Sequence, residues 1–151
     1  MKVFIASDHR GLIAKEEVSK YLKENNIEVL EIGLENNEFD DYPDFAFKLG
    51  RLVNENEGSL GILICGNGIG MSIAANKIKG IRCARVVDKD DAFKAKNHNG
   101  ANVIAIGENL DINDIYEIVD AFILTKPATE ERHLKRIDKI IKYENGEYNE
   151  L

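Results

Sequence analysis

The run from Ile62 to Lys77, ILICGNGIGMSIAANK, constrains the fold more than any other stretch of this chain. Leu60 to Ile64 is short and continuously apolar, the pattern of a strand covered on both faces in a parallel sheet. It ends at Cys65 and passes into Gly66-Asn67-Gly68-Ile69-Gly70. Glycines there tolerate positive φ and keep side chains clear of an approaching ligand. From Met71 the apolar residues recur at three- and four-residue steps (Met71, Ala74, Ala75, Ile78), which reads as a helix. Strand, glycine loop and helix N-terminus, in that order, aim backbone N–H groups at one point and favour an anion. Cys65 stands at the mouth of that point. A thiol beside a helix N-terminus ionises more readily, and a thiolate is a base or a nucleophile. On its own, however, a cysteine ending a buried strand is more often just a small apolar residue.

The rest of the chain alternates in the same way. Val3 to Ser7 reads as a first strand, followed by a helix over about Leu12 to Asn25 and a second strand at Ile27 to Ile32. An acidic loop over 33–41 leads to a helix from Phe45 to Asn56. After the glycine motif come a strand at Ile81 to Val87 and a helix capped by Asp88 and running to about Asn97. A strand at Asn102 to Ile106 and a helix from Asn113 or Asp114 to Leu124 complete the alternation. Thr129 is expected to cap a last, highly charged helix ending near Tyr143. Five strand–helix alternations predict a three-layer α/β/α fold around a five-stranded, parallel, doubly wound, Rossmann-like sheet. The expected organisation is a single domain over 1–151, with a C-terminal helix at 129–145 and a frayed tail at 146–151. Ligands of such sheets sit beyond the strand C-termini near a topological switch point. That rule selects Asp8-His9, Cys65 to Gly70, and Asp88. His98 and Asn99 fall at the far end of their helix, away from the site of their own chain.

Composition narrows the function classes. Among 151 residues, 44% are hydrophobic and the net charge is −7, which argues against general nucleic-acid or membrane-surface binding. The two cysteines, Cys65 and Cys83, show no metal-ligand or disulfide spacing, so no metal is expected and a reducing, cytoplasmic setting fits. The opening MKVFIASDH reads as a strand rather than a signal peptide, and no run is long enough for a membrane-spanning helix. Gly66-x-Gly68-x-Gly70 is not the G-x-G-x-x-G spacing and does not follow the first strand, so a dinucleotide site is set aside.

There are three histidines. His9 adjoins Asp8, a carboxylate able to orient an imidazole. His98 lies in the polar run Asn97-His98-Asn99-Gly100. His133 is flanked by Arg132 and Arg136, which are four apart on one helix face and could grip a phosphate between them. An ordinary solvated basic face is the competing reading of that pair.

Five ordered segments then carry a resemblance: SDHRG after the first strand, DYPD at Asp41 to Asp44, ICGNGIGMSIAANK, NHNGANV at Asn97 to Val103, and RHLKRIDKI near the end. Together they resemble the ribose-5-phosphate isomerase type B family, which includes galactose-6-phosphate isomerase subunits and allose-6-phosphate isomerases. The resemblance implies a cofactor-free aldose–ketose isomerase acting on a sugar phosphate. By position it implies that Cys65 takes the C2 proton and that His98 assists ring opening. It also implies that Asp8 and His9 contact the sugar and its phosphate and that Tyr42 lines the pocket. Gly66, Asn67, Gly68, Ile69 and Gly70 would hold the enediolate through backbone N–H groups. Asn99, Arg132 and Arg136 would bind substrate, the arginines at the phosphate. It further implies a homodimer, or a dimer of dimers, whose two subunits share each site.

Three features depart from the family pattern. Asn67 stands where many relatives have a threonine hydroxyl able to move protons between sugar oxygens. Asn109 stands where many have an arginine, which shifts the phosphate load toward Arg10. Glu130-Glu131 replaces a frequent Gly-Gly ahead of Arg132. Ribose 5-phosphate is the leading substrate expectation. Isomerisation of a 6-phosphorylated hexose, or sugar-phosphate binding with weak turnover, are the alternatives.

Overall fold

The computed structural model describes residues 1–32 and 40–149. In chain order these form β1 (Lys2–Ser7), a single 3-10 turn (His9–Gly11), α1 (Leu12–Glu24), β2 (Glu28–Glu31) and α2 (Tyr42–Glu55). There follow β3 (Leu60–Cys65), α3 (Ile69–Ala75), β4 (Cys83–Arg85), α4 (Lys89–Asn99), β5 (Val103–Gly107), α5 (Ile112–Leu124) and α6 (Glu131–Glu144). Every ladder is parallel and the strand order is β2-β1-β3-β5-β4. This is the doubly wound α/β sheet expected from the alternation.

Side-chain alternation along the strands builds two cores. Val3 and Ile5 of β1, Leu60, Ile62 and Ile64 of β3, and Ile104 and Ile106 of β5 face α1, α4 and α5. Phe4, Ala6, Leu63, Cys65, Val103 and Ala105 face α2 and α3. All six residues of β3 are buried, which is why that strand reads as an unbroken apolar run.

Several boundaries differ from the sequence reading. The fourth strand shrinks from Ile81–Val87 to Cys83–Arg85, an edge strand paired only with β5. Ile81 and Val86 are buried, but they flank the ladder rather than join it. The second helix starts at Tyr42 rather than Phe45, because Pro43 suits a first turn whose N–H groups have no intrahelical partner. The third starts at Ile69, two residues before Met71. Thr129 does not cap α6. The carbonyl of Glu130 accepts from the N–H groups of His133 and Leu134, so the helix begins one residue too late for the Thr129 hydroxyl to serve it. By contrast Asp88 caps α4 as expected, accepting from the Asp91 N–H at 2.8 Å. Most of the acidic loop, over 33–39, and the chain end, 150–151, lie outside the described residues. After α6 the chain turns at Gly146 and brings Tyr148 back against Lys139. Among the described residues no helix is long and apolar enough to cross a membrane.

The order of β1, β2 and β3 creates the switch point. From β1 the chain moves outward to β2 on one side, while β3 lies on the other. The crevice beyond the ends of β1 and β3 is therefore flanked by the segments starting at Asp8 and Cys65.

Candidate active site at the strand C-termini

Cys65 is the last residue of β3, and its Sγ accepts a hydrogen bond from the Gly68 N–H at 3.2 Å. Gly68 makes this possible by adopting φ 77°, a left-handed conformation that a side chain resists. A Cβ there would also lie 2.9 Å from the Ala105 carbonyl oxygen. Asn67 closes the loop locally: its Oδ1 accepts from the Ile69 N–H at 3.0 Å. Two of the loop's N–H groups therefore have partners inside the loop, the sulfur for Gly68 and the carboxamide for Ile69.

Around this loop the fold assembles residues from four other segments. Tyr42, at the start of α2, packs its ring on Gly70, where a Cβ would sit 2.6 Å from the ring. Arg10 lays its guanidinium over Gly66, 2.9 Å from where a Cβ would be, and donates to Glu108 Oε1 at 3.4 Å. Arg85, at the end of β4, donates through Nε to the Asn67 carbonyl at 2.9 Å. Asn109 packs against Gly107 beside the Asn67 backbone, so the position that often carries arginine lies at this loop. Two guanidiniums flank the glycine loop, a favourable setting for an anionic ligand.

Asp8 and His9 divide their roles differently from the sequence expectation. Asp8 is buried, and its Oδ1 accepts from the N–H groups of Arg10 and Gly11, capping the 3-10 turn. The carboxylate that orients His9 is instead Asp40, whose Oδ1 lies 2.7 Å from His9 Nδ1 and also accepts the His9 backbone N–H at 3.2 Å. That hydrogen bond is the main cause holding the His9 imidazole above its ordinary pKa. Partial burial opposes it, the charges of Asp40 and Asp8 support it, and Arg10 subtracts. Ligand atoms of Asp8, His9 and Asp40 lie within 4.8 Å of one another. Capping and ring positioning already account for one oxygen of each carboxylate. The other cysteine, Cys83, lies in β4, and burial pushes its thiol up to about 12.

The remaining candidates form a second group elsewhere. His98 and Asn99 end α4, which leaves the strand C-terminal edge after Asp88 and runs 11 residues, about 16 Å, toward the opposite edge. There the His98 ring stacks on His133 with centroids 4.4 Å apart and planes at 12°. Phe93 meets His98 edge-on at 6.1 Å. Arg132 and Arg136 are exposed on α6, and Arg132 Nε donates to Glu130 Oε2 at 2.8 Å. The structure thus brings Asp8, His9, Tyr42 and Cys65 to Gly70 together at one edge, and groups His98, Asn99, Arg132 and Arg136 away from them. Asp40, Arg85 and Glu108 were not singled out from sequence. Their contacts join distant segments and leave no local spacing signal.

Comparison with known proteins decides the kinship. The model of the family described as Ribose/Galactose Isomerase matches residues 3–140. The chain belongs to this family. Its relatives include a probable ribose-5-phosphate isomerase B of Mycoplasma pneumoniae, 44% identical over 144 residues and covering 94% of both chains. Among solved structures, ribose-5-phosphate isomerase B of Clostridium thermocellum superposes with TM-score 0.91 at 38% identity, over 98% of this chain and all of that one. The Mycoplasma genitalium ribose-5-phosphate isomerase B, solved with bound ribulose-5-phosphate, gives TM-score 0.89 at 41% identity, over 95% of this chain and 96% of the other. This family member is an isomerase, an enzyme that moves hydrogen within one molecule.

Proposed function

We propose that this isomerase interconverts ribose 5-phosphate and ribulose 5-phosphate through an enediolate, with Cys65 as the base. The observation that carries the reading is the position of Cys65 Sγ. It closes β3 at the switch point, 3.2 Å from a loop N–H, with guanidiniums on either side of that loop. The Cys65 thiolate removes the proton from C2 of the open-chain aldose. The C–H electrons form the C1–C2 double bond and the C1 carbonyl becomes an oxyanion, which backbone N–H groups of the loop stabilise. The Cys65 thiol then returns a proton to C1, while the proton on O2 passes to O1. No hydrogen is gained or lost overall, and the proton held on Cys65 exchanges with water during the lifetime of the enediolate, so C1 receives solvent hydrogen.

A second copy of the chain completes the site in this reading. His98 and the two arginines stand apart from Cys65 of their own chain, and α6 leaves Leu134, Ile140 and Ile141 at 47%, 49% and 39% exposure while burying only His133. A partly exposed apolar helix face of this kind supports association. In the dimer His98 of one copy protonates the ring oxygen of sugar held at Cys65 of the other, and Arg132 and Arg136 bind the phosphate. The assembly is a homodimer or a pair of dimers. Two unpaired thiols suit a cytoplasmic, reducing setting.

The test is a turnover panel of ribose 5-phosphate, allose 6-phosphate and galactose 6-phosphate with purified protein. The reading expects the highest kcat/KM for ribose 5-phosphate. A clear preference for a hexose 6-phosphate would replace the substrate, and no turnover on any of the three would leave a binding protein.

A further inference from the structure

The pairing of His9 with Asp40 spans 31 residues and joins the turn after β1 to the residues just ahead of α2. Asp40 is the unusual member, because its side chain is only 6% exposed while that of His9 is 37% exposed. A carboxylate so far removed from water needs a partner, since an unpaired buried charge is costly. Its Oδ1 meets both His9 nitrogens available on that side, the backbone N–H and ring Nδ1. Among the described residues nothing pairs with His9 Nε2.

We propose that Asp40 is a positioning residue of the catalytic pocket, whose carboxylate holds His9 by Nδ1 and presents Nε2 as the donor for the anionic group of the substrate. This deepens the reading that a sugar phosphate binds here, and it rests on that reading. A ring tethered by Nδ1–H to a carboxylate has only Nε2 left to change state. With the proton on Nε2 the imidazolium donates to a phosphate oxygen. Without it, an Nε2 lone pair faces the same oxygen and repels it. Asp40 favours the first state. Asp8 also favours it and Arg10 opposes it, and among the described residues these are the charged groups acting on the ring. The device keeps one cation at the phosphate end, beside a loop that carries asparagine at position 109.

Two measurements on the full-length protein separate the parts of this proposal. Long-range proton–nitrogen NMR reads His9 directly, assigned by its loss in His9→Asn. The wild type is expected to keep Nδ1 protonated throughout and to titrate at Nε2. Asp40→Asn is expected to titrate at lower pH, with its melting temperature monitored. If neutral His9 in the wild type carries its proton on Nε2, or if Asp40→Asn leaves the titration unmoved, the positioning role is overturned, and the first result needs no Asp40 variant. KM for ribose 5-phosphate at pH 7.5 is the second readout. Asp40→Asn should raise it roughly three- to tenfold, as loss of a charge-assisted contact does, with a smaller change in kcat. The same change in a His9→Asn background should add nothing. A moved titration with KM unmoved in both single variants would overturn the substrate half of the proposal, and with it the assignment of His9 to the phosphate. The turnover panel, read separately, would still stand.

Discussion

The imidazole of His98 lies flat against that of His133, with centroids 4.4 Å apart and planes at 12°. His133 is the one buried residue of α6, at 6% exposure, so the stack ties the end of α4 to the last helix. Burial holds His133 below its ordinary pKa, with the neighbouring His98 and Arg132 adding to the effect. His133→Phe keeps a flat ring and should retain most of kcat, whereas His133→Ala frees His98 and should lower kcat about tenfold, as loss of reactive geometry does. A lowered imidazole pKa means the folded state prefers the neutral ring. Stability from this source is present above the unfolded pKa of about 6.5 and is lost as pH falls through the lower, folded value. The melting temperature of His133→Phe should therefore fall less steeply than that of the wild type below pH 6.5. Parallel acid limbs would remove His133 from the acid response.

Glu130 holds Arg132 through a 2.8 Å hydrogen bond, and under the proposed phosphate role of Arg132 this carboxylate and the substrate would compete for one guanidinium. Arg132→Gln and Arg136→Gln should each raise KM for ribose 5-phosphate by about tenfold, with a smaller joint effect than the product because they serve one group. Glu130→Gln should act in the opposite direction and lower KM severalfold. Steady-state kinetics on ribose 5-phosphate and on unphosphorylated ribose test this directly. Equal losses on both sugars would return the arginines to an ordinary solvated face.

Shared sites predict complementation. Cys65→Ala and His98→Ala chains are each expected to be inactive alone. After subunit exchange, random pairing gives half mixed dimers, each with one intact site, so activity should recover to about a quarter of wild type. No recovery, with exchange verified by mass, would mean that each chain carries its own complete site.

The fold was legible where burial leaves a simple trace. Leu60 to Ile64 and Val103 to Ile106 are buried on both faces, and their continuous apolar runs say so without tertiary information. The cysteine and glycine loop were equally legible, because a strand-to-helix turn writes its backbone needs into consecutive residues. Cys83 to Arg85 misled in length, since buried side chains outside a ladder look the same in sequence as those within it. Asp40 could not be found. Its meaning lies in a contact with His9 across 31 residues, and an aspartate ahead of a helix is otherwise unremarkable. The stacking of His98 on His133 was hidden for the same reason.

Thiol chemistry gives a further check on which cysteine matters. Burial holds the Cys83 thiol at about 12, so it stays protonated and unreactive near neutral pH. Iodoacetamide at pH 7.5 should inactivate the native enzyme with one equivalent on Cys65, and ribose 5-phosphate should protect it. Inactivation that tracks labelling of Cys83 would contradict this assignment.

The central claim, that Cys65 moves the C2 proton, is tested most directly by isotope exchange. Ribose 5-phosphate deuterated at C2 is incubated in light water with wild-type or Cys65→Ala enzyme, and loss of the label is followed by NMR. The wild type should wash out deuterium as it turns over. Cys65→Ala should exchange at least about a hundredfold more slowly, the scale of losing a general base, while still binding the substrate. Wash-out by Cys65→Ala at a rate near that of the wild type would place the base elsewhere and contradict the account.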